Sequence, residues 1–166
     1  MEILQSFVEW AWARHHNVLS WYIRPLFLVP FCYFAYRRSL LGLLITVVAL
    51  LTSMFWFPVP KTVSPAVLSA LMAEKDYLLG PWSTWKVLLA LLVPASFYAL
   101  AAAFWKRSYV LGLAVINAMV FIKILWTFVM FDRQAALAHL APAVVGLALV
   151  NIAVLYWIKR QKRRRA

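Results

Sequence analysis

The sequence predicts an all-α fold: a polytopic integral membrane helix bundle of five transmembrane helices, N-terminus outside and C-terminus inside. Three observations lead there. Five apolar stretches can each be drawn at about 18–24 residues, the length an α-helix needs to cross a hydrocarbon core roughly 30 Å thick. Of the 166 residues 66% are hydrophobic and 13% charged, and mean hydropathy is +0.82, far from a soluble domain. Basic residues gather at every second break between the stretches. In lipid every backbone N–H and C=O needs an internal partner, which makes such stretches helices. Barrel strands would instead show alternating segments of about 10 residues.

The elements follow in order. Residues 1–16 predict a short outer interfacial helix, with Ile3, Phe7, Trp10 and Arg14 along one stripe. Two acids and no Lys or Arg in the first 13 residues do not make the basic start of a cleavable signal. The first span covers residues 17–36 and the second 40–57. An outer loop at 58–83 carries its own helix over 64–79, because Ser64-Pro65 reads as N-cap and N1 and Gly80-Pro81 as a stop. Glu74 and Asp76 near that helix's C-terminal end call for a compensating cation, Lys61 or Lys86 among them. Spans three, four and five cover 84–105, 110–131 and 135–158, and residues 159–166 form a basic tail.

The net charge of +12 does not indicate nucleic acid, because its distribution is that of a membrane protein and no base-stacking residues accompany it. Arg37, Arg38, Lys106, Arg107 and the six Lys/Arg of the tail fall on one side, with no carboxylate. All five acids (Glu2, Glu9, Glu74, Asp76 and Asp132) fall on the other. The positive-inside rule then sets the orientation and predicts a bacterial-type inner membrane as location. The tail residues Arg163, Arg164 and Arg165 either fix the orientation of the last span or also contact anionic lipids. Cys32, alone of its kind and inside a span, leaves no intramolecular disulfide and reads as a buried thiol.

The first two hairpins resemble each other. Ser20-Trp21 and Val29-Pro30 match Thr84-Trp85 and Val93-Pro94, with seven residues between the members of each pair. Arg37-Arg38-Ser39 precedes Leu41-Gly42-Leu43, as Lys106-Arg107-Ser108 precedes Leu111-Gly112-Leu113. This pattern points to a parallel two-hairpin repeat with a fifth helix appended.

Polar residues inside spans are the candidate functional ones. Lys123 lies about 12 Å from the outer end of span four. At that depth a lysine either snorkels outward or faces protein or water. Arg24 lies about 10 Å deep beside Pro25 and above Pro30, and Pro94 frees a carbonyl at similar depth. With Lys86 these residues predict a basic, proline-kinked layer whose partners are Glu74, Asp76, Asp132 or Glu9 as salt bridges, or else an anionic ligand or lipid headgroup. Pro142 is a fourth kink position, next to His139. Asn117 and Asn151 read as hydrogen-bonding glue between helices. His15 and His16 diverge by about 100° on a helix and do not share a metal. No cofactor, metal or catalytic motif stands out.

Three function classes remain. The foremost is a small non-catalytic subunit that assembles with another membrane protein. The alternative is a homo-oligomeric transporter or channel for a small, anionic solute, using the outer basic pocket. A lipid-modifying enzyme is the third, and it lacks an identifiable acid–base pair.

Overall fold

A computed structural model describes residues 2–130 and 133–163. The expected contributions of Phe131, Asp132, Arg164 and Arg165 lie outside the described residues, as does the side chain of His139. The described residues are mostly helical, and no strand is found among them. In order they form α1 (Glu2–His15), α2 (Leu19–Leu26), α3 (Leu28–Tyr36) and α4 (Leu40–Thr52), the last extended by a 3-10 turn over Ser53–Phe55. Then come α5 (Pro65–Leu79), α6 (Thr84–Trp105), α7 (Tyr109–Met130) and α8 (Arg133–Arg163).

Three helical segments are long and apolar enough to cross a membrane: Thr84–Trp105, Tyr109–Val129 and Leu140–Arg160. The first two expected spans are not found as single helices of that length. Residues 17–36 are two helices, α2 and α3, divided at Phe27. Pro25 and Pro30 account for the division, since neither has an N–H to donate. The chain is carried across by a shorter bond, from Phe27 N–H to the Arg24 carbonyl at 3.2 Å. The second stretch is regular only to Thr52, and with its 3-10 turn it ends at Phe55. By contrast α6 and α8 stay continuous through Pro94 and Pro142.

The core forms around α3, which packs against α4, α6 and α8. Phe31, Cys32, Ala35 and Tyr36 meet Leu100 and Phe104 of α6, Ile116 of α7, and Val150 and Val154 of α8. Cys32 is buried there, with 1% exposure. Glycines let the helices close up. A Cβ on Gly146 would stand 2.2 Å from Pro25 Cβ, so α8 reaches α2 only because that position has no side chain.

The turns α3–α4 and α6–α7 have one geometry. Each ends its helix with a left-handed arginine, Arg38 at φ 54° and Arg107 at φ 58°. Ser39 N–H donates back to Phe34 O and Arg38 N–H to Ala35 O, as Ser108 N–H does to Ala103 O and Arg107 N–H to Phe104 O. This pair of bonds is the Schellman C-cap. Each serine then caps the next helix, Ser39 Oγ accepting from Gly42 N–H and Ser108 Oγ from Leu111 N–H. The turns also hold each other. Arg38 Nε donates to Trp105 O at 3.2 Å, and the Arg107 guanidinium lies 5.4 Å from the Tyr36 ring centroid. Shifted by the same 69 residues, Arg38 becomes Arg107 and Tyr36 becomes Trp105. Such reciprocity is what a two-fold relation between like units produces.

At the opposite end, α1 bends by 87° from the α2–α3 segment. Arg14 Nη1 donates to Phe57 O at 3.3 Å and Asn17 Nδ2 to Pro58 O at 3.0 Å, which fixes the bend to the end of the next hairpin. Phe7 and Trp10 of α1 pack on Phe55, with ring centroids 6.0 and 5.4 Å away.

Candidate functional site

The acid-bearing end of the bundle holds most of the candidate residues, and α5 organises it. This helix begins where Ser64 Oγ accepts from Val67 N–H and Pro65 occupies N1. Val67, Ala70 and Leu71 are buried against Trp21 of α2, with Trp12 and Val63 alongside. The same helix packs on α8. The α5 helix is thereby locked to α2 and α8.

His15, at the end of α1, is the pivot. It is 2% exposed and enclosed by aromatic rings, Trp12 at 5.7 Å and Trp21 at 6.0 Å between centroids. Its Nδ1 lies 3.3 Å from Ser20 Oγ, and its Nε2 lies 3.5 Å from Glu74 Oε2 on α5. Trp21 Nε1 donates to the His15 carbonyl at 3.1 Å. Serine, histidine and carboxylate thus stand in the order of a hydrolytic triad. The serine is unsuited to attack, because Ser20 is fully buried and its hydroxyl already donates to Asn17 O at 2.8 Å. The linkage instead ties α1, α2 and α5 together. A buried polar group with its partners in place holds a corner, and stripped of them it costs about 1–3 kcal/mol.

The predicted basic layer divides into two groups. Arg24, Glu74 and Lys123 form one: Glu74 attracts both cations, and the cations repel each other. Arg24 is half-buried, whereas Lys123 is exposed on α7. Lys123 edges a small crevice shared with α8, lined by Ile124, Thr127, Phe128, Leu140 and Ala143. Among the described residues no carboxylate comes within 4.0 Å of its ammonium. Lys86 stands apart. It is 8% exposed, donates to Gly80 O at 3.0 Å, and lies over Tyr77 and Trp82 at 4.7 and 4.5 Å. A cation against the last carbonyls of α5 offsets the negative end of that helix. Lys86 is therefore committed to joining α5 to α6. Asp76 is exposed, and its backbone carbonyl accepts from Gly80 N–H at 2.8 Å.

No family model, curated protein or solved structure matches this chain. Its chemistry is read from its own residues. Among the described residues no three His, Cys, Asp or Glu gather to hold a metal. In sequence, His15 is weighed only as a metal ligand and Ser20 only as part of the repeat, which does not bring the two together. Their local signal was the helix break at Asn17, whose Oδ1 accepts from Leu19 N–H at 3.1 Å. The contact to Glu74 had none, being made 59 residues away.

At the other end lie Arg37, Arg38, Lys106, Arg107, Lys159, Arg160 and Arg163, all exposed. Trp157 of α8 joins that end to the turns, with ring centroids 4.6 Å from Tyr36 and 5.7 Å from Tyr109.

Proposed function

We propose that this chain is a non-catalytic, multi-pass protein of a bacterial-type inner membrane that assembles with another membrane protein. In this reading five segments cross: α2 with α3, α4 with its 3-10 turn, α6, α7 and most of α8. The acid-bearing end faces outward and the basic end inward, which the positive-inside rule supports. The 87° bend then lays α1 along the outer surface. Arg37, Lys106 and the tail arginines meet anionic headgroups on the inner side.

The observation that carries the partner is the apolar rim of the outer cap. Leu68, Met72 and Leu79 of α5 are 41%, 67% and 76% exposed, and Trp82 and Trp85 beside them 54% and 64%. The cap that displays them is held by His15, Glu74 and Lys86, so the rim is presented in a fixed shape. Rigid aromatic and Met-rich surfaces are what partner proteins bind. Purification in mild detergent tests this. A partner should co-purify with the wild type, and Met72→Asp with Leu79→Asp should release it. A chain that purifies without any partner overturns the reading. Fusing alkaline phosphatase, then a fluorescent protein, to the C-terminus tests orientation. Periplasmic phosphatase activity there would reverse it.

A second reading, a transporter for a small anion, rests on Arg24 and Lys123 sharing one electrostatic group. It expects anion flux in proteoliposomes that Lys123→Met abolishes without altering insertion. Equal flux in the variant ends that reading.

A further inference from the structure

Two asparagines meet within α7 and α8, well away from the ends of both helices. Asn117 of α7 donates through Nδ2 to Leu113 O at 2.7 Å and to Asn151 Oδ1 at 3.2 Å. Asn151 of α8 donates through Nδ2 to Leu147 O at 2.8 Å. The orientation of both amides follows from chemistry, because the leucine carbonyls only accept. One acceptor and one donor are left without a partner among the described residues: Asn117 Oδ1 and the second N–H of Asn151. Asn117 is exposed, and it stands eight residues, about 12 Å, into α7. In the membrane reading proposed above, that places an open amide in hydrocarbon.

The surroundings invite close approach by another helix. An open crevice of about 450 Å³ runs beside Asn117, edged by Ala118, Val120, Phe121, Ile124 and Leu147. Along α7 the exposed positions Val110, Ala114, Asn117, Phe121, Leu125 and Phe128 recur at spacings of three and four. That is the seam of a helix that packs lengthwise against another. Ala114 and Ala118, with Ala148 on α8, are exposed and small, and small residues let backbones come near.

We infer that α7 and α8 form the face on which two copies of this chain dimerise, side by side and in the same orientation. The leftover groups choose a second copy as the occupant. A two-fold axis along the membrane normal keeps every residue at its own depth. It sets Asn117 Oδ1 of one copy opposite the free Asn151 N–H of the other, and the reverse. One acceptor and one donor on adjacent helices are self-complementary in this way, whereas an unrelated helix must supply both at the same depth. Polar groups facing each other satisfy what lipid does not.

The inference rests on the membrane reading and is independent of the outer-cap partner, whose release is read by co-purification instead. Single-molecule photobleaching of fluorescently labelled protein in lipid vesicles is the test. The wild type should bleach in two steps. Asn117→Val with Asn151→Val should shift the population to one step, with dimerisation weakened about tenfold or more. Ala118→Cys should cross-link between copies under copper phenanthroline, with buried Cys32 silent in the wild type. Wild-type monomers overturn the inference. So does a dimer that survives the double substitution undiminished, or one that Ala118→Cys fails to cross-link.

Discussion

Arg38 holds the carbonyl oxygen of Trp105 at 3.2 Å, across 67 residues of chain, from a backbone conformation that few side chains adopt willingly. The left-handed region costs an L-residue roughly 1–2 kcal/mol, and glycine is its usual occupant at a helix end. An arginine persists there because its side chain has work across the turn. Arg38→Ala should lose the contact and keep the strain. Arg38→Gly should lose the contact and relieve the strain. Glycine should therefore exceed alanine by about 1 kcal/mol in thermal unfolding followed by circular dichroism in detergent. Equal stabilities would show the turn unstrained.

Gly42 and Gly112 make the same approach to a phenylalanine, and their alanine variants should differ. A Cβ at Gly42 would meet Phe34 Cδ1 at 2.3 Å, and one at Gly112 would meet Phe104 Cε2 at 2.4 Å. Phe34 is half-buried and has room to swing, whereas Phe104 is wholly buried. Alanine favours a helix over glycine by about 0.5–1 kcal/mol, which offsets a small clash and not a large one. Gly42→Ala should be near neutral, and Gly112→Ala should destabilise by about 1–3 kcal/mol. The melting midpoints decide it.

His15→Ala should free α5 from the corner. It removes the contact to Glu74 and leaves Ser20 Oγ without its imidazole neighbour. Amide hydrogen exchange should quicken across Pro65–Leu79 by about tenfold, with α6 and α7 unchanged. Glu74→Gln keeps the size of the side chain and should give a smaller effect in the same segment. Uniform quickening of every helix would show that His15 supports the whole fold rather than the cap.

Lys86→Met should loosen the passage from α5 to α6. The Gly80 carbonyl loses its cation, and Tyr77 and Trp82 lose the ammonium between them. The expected cost is about 1–3 kcal/mol, read as faster exchange at residues 77–82 and a lower melting midpoint. An unchanged midpoint would mean that water serves Gly80 equally well.

Much of the architecture was legible because its signals are local. Ser64-Pro65 sets the start of α5, and the paired basic residues before Ser39 and Ser108 mark both like turns. Apolar length located Thr84–Trp105 and Tyr109–Val129 as membrane-length helices. What was missed depends on partners far along the chain. Pro25 and Pro94 look alike in sequence, yet only the segment containing Pro25 divides, where Pro30 follows five residues later and Gly146 lets α8 crowd in. Lys86 and Lys123 likewise looked equivalent as cations in apolar stretches. One lies one turn from a helix end with Gly80 O at hand, and the other lies mid-helix with no such carbonyl.

The mutual grip of the two like turns has an order in time. Arg107 follows Arg38 by 69 residues. At synthesis rates of about 5–20 residues per second, the first turn waits roughly 3–14 s for its mate. Through that interval the Arg38 side chain has no Trp105 carbonyl to hold, and the Tyr36 ring has no arginine above it. A neighbouring nascent chain at the same stage offers only another first turn, which carries the arginine and the ring of one half of the arrangement together. Until the second hairpin arrives, the first turn therefore stands open to contact with the like turn of a neighbouring nascent chain, and crowded translation is where such pairing would surface.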